Sequence, residues 1–270
     1  MKLKEILYGF KFRPAAREYG YTVQDYTLAK EGHVQYASWD HPKEMPKRFD
    51  QDYVDVLREF LKPGDFAIDV GAHSGDTTLP MALAVGAEGG VFALEPNPHV
   101  FTVLAANARL NPGKTRIYPL MFAATGEDGE YEFEYSDPGF SNGGFHQGIS
   151  HWRHGHFFKL KVQGRNLLRF LEREYPKDIP RIRYIKIDAE GYDHAIVSAL
   201  RGLIQSNRPY IRAEVYKHLA VDARRAFFRE LEGLGYVLHK FGDEKHYRGE
   251  VLNEAMLMDW DHFDIFAVPR

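Results

Sequence analysis

Phe66-Ala-Ile-Asp-Val-Gly-Ala-His-Ser-Gly-Asp76 reads as a buried strand ending in Asp69, a glycine-rich turn at Gly71 and Gly75, and the start of a helix. A second apolar strand ends in an acid at Phe92-Ala-Leu-Glu95 and runs into Pro96-Asn-Pro98. Glu95 lies 20 residues after Gly75, close to the spacing at which α/β folds place a carboxylate to hold a ribose diol. The turn is Gly-x-x-x-Gly and not the Gly-x-Gly-x-x-Gly of dinucleotide folds. It also lacks the Lys-Ser or Lys-Thr pair of a phosphate loop.

An acid beside the turn and another on the next strand suit a ligand with a ribose and a positively charged tail better than a pyrophosphate. S-adenosylmethionine is such a ligand. Asp69-Val-Gly-Ala-His-Ser-Gly75, Glu95-Pro-Asn-Pro98 and Ile185-Lys-Ile-Asp-Ala-Glu-Gly191 together resemble the three signature segments of FkbM-family methyltransferases. The resemblance covers roughly residues 50 to 215. It implies a class I methyltransferase fold, S-adenosylmethionine as cofactor and O-methylation as the reaction.

The chain outward from these segments alternates strands and helices. Strands are expected near 66–70, 91–95, 115–122, 131–135, 159–163, 184–188 and 210–215. Helices are expected near 76–85, 98–110, 166–174, 193–203 and 222–234. Strands at 236–240 and 264–268 close the domain. The pattern predicts an α/β, Rossmann-like, mostly parallel sheet with helices on both faces, and the resemblance adds an antiparallel last strand. Tyr53, Val56, Leu57, Phe60 and Leu61 recur at helical spacing, and Pro63-Gly64 stops that helix. Residues 1–48 read as an N-terminal appendage. Tyr21–Leu28 and His33–Trp39 alternate like two strands around Lys30-Glu-Gly32, which predicts a β-hairpin that caps a cleft or covers the sheet. Residues 49–270 form the cofactor-binding domain. Residues 136–159 are too long for an ordinary connection, and such loops often carry function.

Composition narrows the class. The chain has 270 residues, 44% of them hydrophobic, and a formal net charge of −3, a poor match to a protein that tracks phosphates along a nucleic acid. With no cysteine there is no disulfide framework, thiolate metal site or cysteine nucleophile. No apolar run reaches transmembrane length, and the first ten residues lack a signal-peptide core. A cytoplasmic protein without membrane insertion is the expectation.

Open α/β sheets bind ligands at the C-terminal ends of their strands, where four acids fall: Asp69, Glu95, Asp188 and Glu214. Asp69, Gly71, Ala72, His73, Ser74 and Gly75 are the expected cofactor loop. Glu95 would accept hydrogen bonds from the ribose hydroxyls. Pro96, Asn97 and Ala123 would border the adenine. Asp188, Glu190 and Glu214 are the candidate catalytic residues, because a neutral alcohol is a poor nucleophile and a positioned base helps to take its proton. Glu190 could equally cap the following helix. Asp188 and Glu214 could hold Mg²⁺ beside a sugar diol, an option carried without commitment. In the long loop, Asn142, His146, His151, Trp152 and Arg153 are candidates for the acceptor: aromatic faces stack on sugar rings, and His or Arg bind hydroxyls. The expected acceptor is a hydroxyl of a sugar, in a glycan or a glycosylated metabolite. A polyketide or other small-molecule alcohol is the alternative. A nucleotide-sugar or dinucleotide binder without methyl transfer is the alternative of another class.

Overall fold

The computed structural model describes residues 17–135, 143–144 and 158–270. An eight-stranded sheet forms its centre. Five strands are parallel: β3 (Phe66–Val70), β4 (Gly90–Leu94), β5 (Ile117–Leu120), β10 (Ile182–Ile187) and β11 (Tyr210–Val215). Three more complete it: β12 (Tyr236–Asp243), β13 (His246–Val251) and β14 (Phe263–Pro269). The order across the sheet is β13-β12-β14-β11-β10-β3-β4-β5. β14 enters antiparallel between β11 and β12, as the resemblance implied. β3 and β4 are buried at every position, as expected of parallel strands covered on both faces.

Helices pack on the two faces: α1 (Gln51–Leu57), α2 (Thr78–Val85), α3 (Pro98–Asn107), α4 (Leu167–Glu174), α5 (Asp193–Ala199), α6 (Arg201–Asn207) and α7 (Val221–Gly233). Local chemistry starts several of them. Asp50, Asn97 and Asn166 each accept a backbone N–H in the first turn of the helix that follows, and Pro98 occupies a position where its missing N–H costs nothing. The helix expected over 193–203 is two helices that break at Leu200.

The period-2 alternation of β10 divides its residues between two cores. Ile185 and Ile187 face one core with Ile68, Val70 and Val215, while Tyr184 faces the other with Ala67, Phe60 and Phe266. Lys186 lies on the Tyr184 side and pairs in register with Asp69 on one flank and Arg212 on the other. A charged row therefore crosses three neighbouring strands of an otherwise apolar face.

The N-terminal hairpin, β1 (Tyr21–Leu28) and β2 (Gly32–Trp39), is present as anticipated. Leu28, Val34 and Tyr36 join the core that also holds α1 and α2. The outer edge of β2 is satisfied by two side chains four residues apart, at and just beyond the end of α3. Asn107 bonds both backbone groups of Ala37 at 2.7 and 2.9 Å. Asn111 does the same for Gln35 at 2.7 and 2.8 Å. Two features were not anticipated. β13 adds an edge strand through a tight hairpin with β12. A separate four-stranded sheet joins β6 (Ala123–Ala124), β9 (Phe158–Arg165), β7 (Gly129–Tyr135) and β8 (Gly143–Gly144). Among the described residues no helix is long and apolar enough to cross a membrane.

Candidate active site

The C-terminal ends of β3, β4 and β10 open on a cavity of about 440 Å³. Gly71, His73, Glu95, Pro96, Ala123, Asp188 and Glu190 line it among the residues expected from sequence. Ala72, Ser74, Gly75 and Asn97 are buried behind that wall and shape it. Asn142, His146, His151, Trp152 and Arg153 lie outside the described residues.

The glycine turn is held by its neighbours on both sides. Gly71 and Ala72 donate their N–H groups to Leu94 O at 3.1 and 2.9 Å, which ties the turn to β4. Gly71 has φ +74, and a Cβ there would sit 2.1 Å from Asp188 O; only glycine allows the ends of β3 and β10 to approach so closely. His73 also has positive φ, and its N–H donates to Glu95 Oε2 at 3.0 Å. From beneath, Tyr36 of the hairpin shares a 2.7 Å hydrogen bond with the Ser74 hydroxyl, and Asn107 donates to Ser74 O at 2.7 Å.

Glu95 is buried, and both of its oxygens accept backbone N–H bonds, Oε1 from Asn97 at 2.8 Å and Oε2 from His73. Burial pushes its carboxyl up to about 7, against the pull of those two donors. Each oxygen keeps a second lone pair for a ligand donor. Asn97 in turn caps α3 through His99 N, so the Pro96–Pro98 turn fixes the acid and starts the helix together.

Asp69 does not line the cavity. Its Oδ2 accepts from Thr77 and Thr78 at 2.8 and 2.6 Å, and its Oδ1 lies 3.4 Å from Lys186 Nζ. Lys186 does line it, with Asp188 Oδ2 and Gly71 O each 3.5 Å away. Burial works against the charge of this ammonium, but Asp69 and Asp188 outweigh it and raise its pKa. These contacts are longer than good hydrogen bonds, so the ammonium is shared among its neighbours rather than committed to one. A lysine between Ile185 and Ile187 in a buried strand was the available sequence signal for it.

The turn after β10 carries Asp188 and Glu190 to the cavity wall together, although the strand itself ends at Ile187. Glu190 has φ +51 and caps nothing: the N-cap position of α5 is Tyr192, without a side-chain cap bond. Asp193 braces the turn instead, accepting from Ala189 N, Gly191 N and Glu214 N at 3.4, 3.3 and 3.1 Å. Burial, then Asp188, pushes the Asp193 carboxyl up to about 7. The same two causes, in the same order, raise Glu190. Glu214 stands behind the wall, buried, with Oε2 lacking a hydrogen-bond partner. Burial, Asp188 and Asp193 push it up to about 9, so it is neutral at neutral pH. Among the described residues no group of three His, Asp or Glu is placed to hold a metal ion.

The two ends of the cavity differ. Phe122, Ala124, Phe133 and Tyr135 give the end near Glu95 apolar walls, the surroundings a flat base needs. The other end is charged: Lys47, Asp76, Arg212 and Glu244 line it, and all four also line an adjoining chamber of about 100 Å³. Lys47 bonds Asp76 at 2.7 Å, and Arg212 bonds Glu244 and Asp264 at 2.8 Å each. Lys47 comes from the segment after the hairpin and Glu244 from the β12–β13 turn.

Comparison with known proteins bears on this arrangement. The relatives include the hexuronic acid methyltransferase AglP of Haloferax volcanii, 26% identical over 180 residues, or 66% of each chain. A protein-L-isoaspartate O-methyltransferase of Triticum aestivum is 31% identical over 84 residues, 31% of this chain and 33% of that one. The chain thus spans about two thirds of the first relative and one third of the second. Among solved structures, an FkbM methyltransferase from Methylobacillus flagellatus matches with TM-score 0.46 and 13% identity, covering 79% of this chain and 50% of that one. Fibrillarin from Aeropyrum pernix, with S-adenosyl-L-methionine bound, matches with TM-score 0.44 and 13% identity over 94% and 97% of the two chains. The model of the methyltransferase FkbM domain matches residues 69–238, from the acid that opens the glycine turn to the middle of β12. With the strand-end acids and the turn between them in that span, the chain belongs to the FkbM methyltransferase family.

Proposed function

We propose that this protein transfers a methyl group from S-adenosylmethionine to a hydroxyl of a sugar. The observation that carries the cofactor assignment is Glu95, a buried acid bonded to the His73 N–H of the glycine turn and lining a cavity with apolar walls on one side and Asp188 and Glu190 on the other. Glu95 would hold the ribose diol, Pro96, Phe122 and Ala123 the base, and Gly71 and His73 the amino-acid tail. S-adenosylmethionine supplies an electrophilic methyl on a sulfonium centre.

The chain's own part is to exclude water, orient the acceptor and take its proton. Asp188 and Glu190 are the groups placed for the last task. Glu190 is the better base, because burial and Asp188 raise its pKa toward the working range where a base is most effective. Glu214, neutral at neutral pH and behind the wall, supports the strand end. The sugar reading rests on the polar, charge-lined far end of the cavity, which matches the hydrogen-bonding needs of a polyol, and on the family tie to a hexuronic acid methyltransferase.

Calorimetry with S-adenosylmethionine tests the cofactor assignment: binding by the wild type and its loss in Glu95→Ala are expected, and equal affinity in both overturns it. Turnover against oligosaccharides and glycosides, with and without EDTA, tests the acceptor and any metal requirement. Methylation of polyketide alcohols and of no sugar would overturn the sugar assignment.

A further inference from the structure

Three cations line the cavity, and each is shared between two carboxylates. Lys47 pairs with Glu44 and Asp76 at 3.1 and 2.7 Å. Lys186 lies between Asp69 and Asp188 at 3.4 and 3.5 Å. Arg212 binds Glu244 and Asp264 at 2.8 Å each. In each triad one acid faces the cavity (Asp76, Asp188, Glu244) and one stands behind it. Glu95 and Glu190 add two more acids to the wall. Lys47, Lys186 and Arg212 are the cationic side chains among its described lining residues; His73 is partly buried, and burial lowers its pKa. Even without Glu95 and Glu190, whose carboxyls burial raises, the six triad acids outnumber the three cations two to one around a partly enclosed space, where a charge acts at longer range than in water.

We infer that these three carboxylate–cation–carboxylate triads make the cavity selective for a positively charged ligand, so that the sulfonium form of the cofactor is held in preference to the neutral thioether left after methyl transfer. This rests on the cofactor assignment above and deepens it. S-adenosylmethionine carries one more positive charge than S-adenosylhomocysteine and otherwise differs only by the methyl group. A site that bound both through ribose, base and amino-acid tail alone would not separate them. A site with surplus negative charge holds the donor more tightly and lets the spent product go, which limits product inhibition. Asp188, at the end of β10, contributes most, because it stands where the methyl is transferred.

The test is calorimetry on the full chain at low ionic strength with three ligands: S-adenosylmethionine, S-adenosylhomocysteine, and sinefungin, whose amine restores a positive charge without a sulfonium. The two cations are expected to bind more tightly than the neutral thioether by about tenfold, the scale of one unit charge roughly 10 Å from another in a partly buried site. Asp188→Asn and Glu244→Gln are near-isosteric and remove one carboxylate each. Each should lower the ratio of cation to thioether affinity, Asp188→Asn more, with the thermal midpoint reporting whether the fold is intact. Tighter or equal binding of S-adenosylhomocysteine by the wild type overturns the inference. So does a ratio that neither variant moves. Failure of all three ligands to bind overturns the cofactor assignment itself, and the charge selection with it.

Discussion

The two ends of the cavity are built in different ways. The end around Glu95 takes its polar frame from two short segments, residues 69–75 and 92–98, whose strands are neighbours in the sheet, and its apolar walls from Phe122, Ala124, Phe133 and Tyr135. The charged end draws Lys47 from the segment after the hairpin, Arg212 from β11 and Glu244 from the β12–β13 turn. Lys47 and Glu244 both fall outside the family span of residues 69–238. Backbone geometry holds the first end: positive-φ positions, a close strand approach and N–H bonds to a buried acid. Ion pairs between distant parts of the chain hold the second.

If that contrast holds, damage at the backbone-built end should be the more severe. Gly71→Ala places a methyl group 2.1 Å from Asp188 O at a φ of +74, with no flexible side chain able to yield. It should separate β3 from β10 and cost several kcal/mol, on the order of 3 or more; a thermal midpoint within a degree or two of wild type would contradict this. Next comes Glu95→Ala, which leaves the N–H groups of His73 and Asn97 without their acceptor. A loss of roughly 2–4 kcal/mol in stability follows from two stranded buried donors. Glu95→Gln should retain more of the fold yet still weaken S-adenosylmethionine, read by denaturant titration and calorimetry together.

The same acid gives a pH signature. Its folded pKa of about 7 lies above the ordinary 4.5 of a glutamate carboxyl, so the folded state holds a proton that the unfolded chain releases. Stability from this group is full below pH 4.5, and it is lost as pH rises toward 7. Asp193, also raised to about 7, acts in the same direction. Stability of the ligand-free protein should therefore fall from pH 5 to 8, and Glu95→Gln should flatten the slope. Affinity for a ribose diol should run the other way, rising as the carboxylate forms. A ligand-free protein that gains stability over that range would break the assignment.

The smallest effects are expected where the hairpin meets the glycine turn and at the ion-paired end. Tyr36→Phe removes one buried 2.7 Å bond to Ser74 and should cost about 1 kcal/mol, with a small loss of cofactor affinity because the turn loses a brace. No change in either quantity would reduce the hairpin to a cover. Glu244→Gln should leave stability within about 1 kcal/mol of wild type, since Arg212 keeps Asp264, and should show itself mainly in ligand selectivity.

Much of the fold was legible because parallel strands buried on both faces are short apolar runs, and the turns between them carry glycine or proline. That logic located β3, β4, β10 and β11, the hairpin, and the acids at the strand ends. It missed β13, because His246–Val251 is largely exposed and polar and becomes a strand only by pairing with β12. It left open whether Glu190 caps α5, where Asp193 does the bracing. Spacing can show that an acid is near a turn, but not which of three acids accepts the N–H groups. For Asp69 the spacing identified the right strand end, while the side chain turns inward to Thr77, Thr78 and Lys186.

Local sequence thus determined the sheet, the glycine turn and the Glu95 position, because each follows from burial periodicity or backbone freedom within a few residues. Tertiary structure alone decided that Lys47, Arg212 and Glu244 share a cavity with them, that Tyr36 props the glycine turn, and that Lys186 stands between two acids. The Tyr36–Ser74 and Lys186–Gly71 contacts join residues 38 and 115 positions apart. Their existence depends on how strands and hairpin pack in space, which no local pattern encodes.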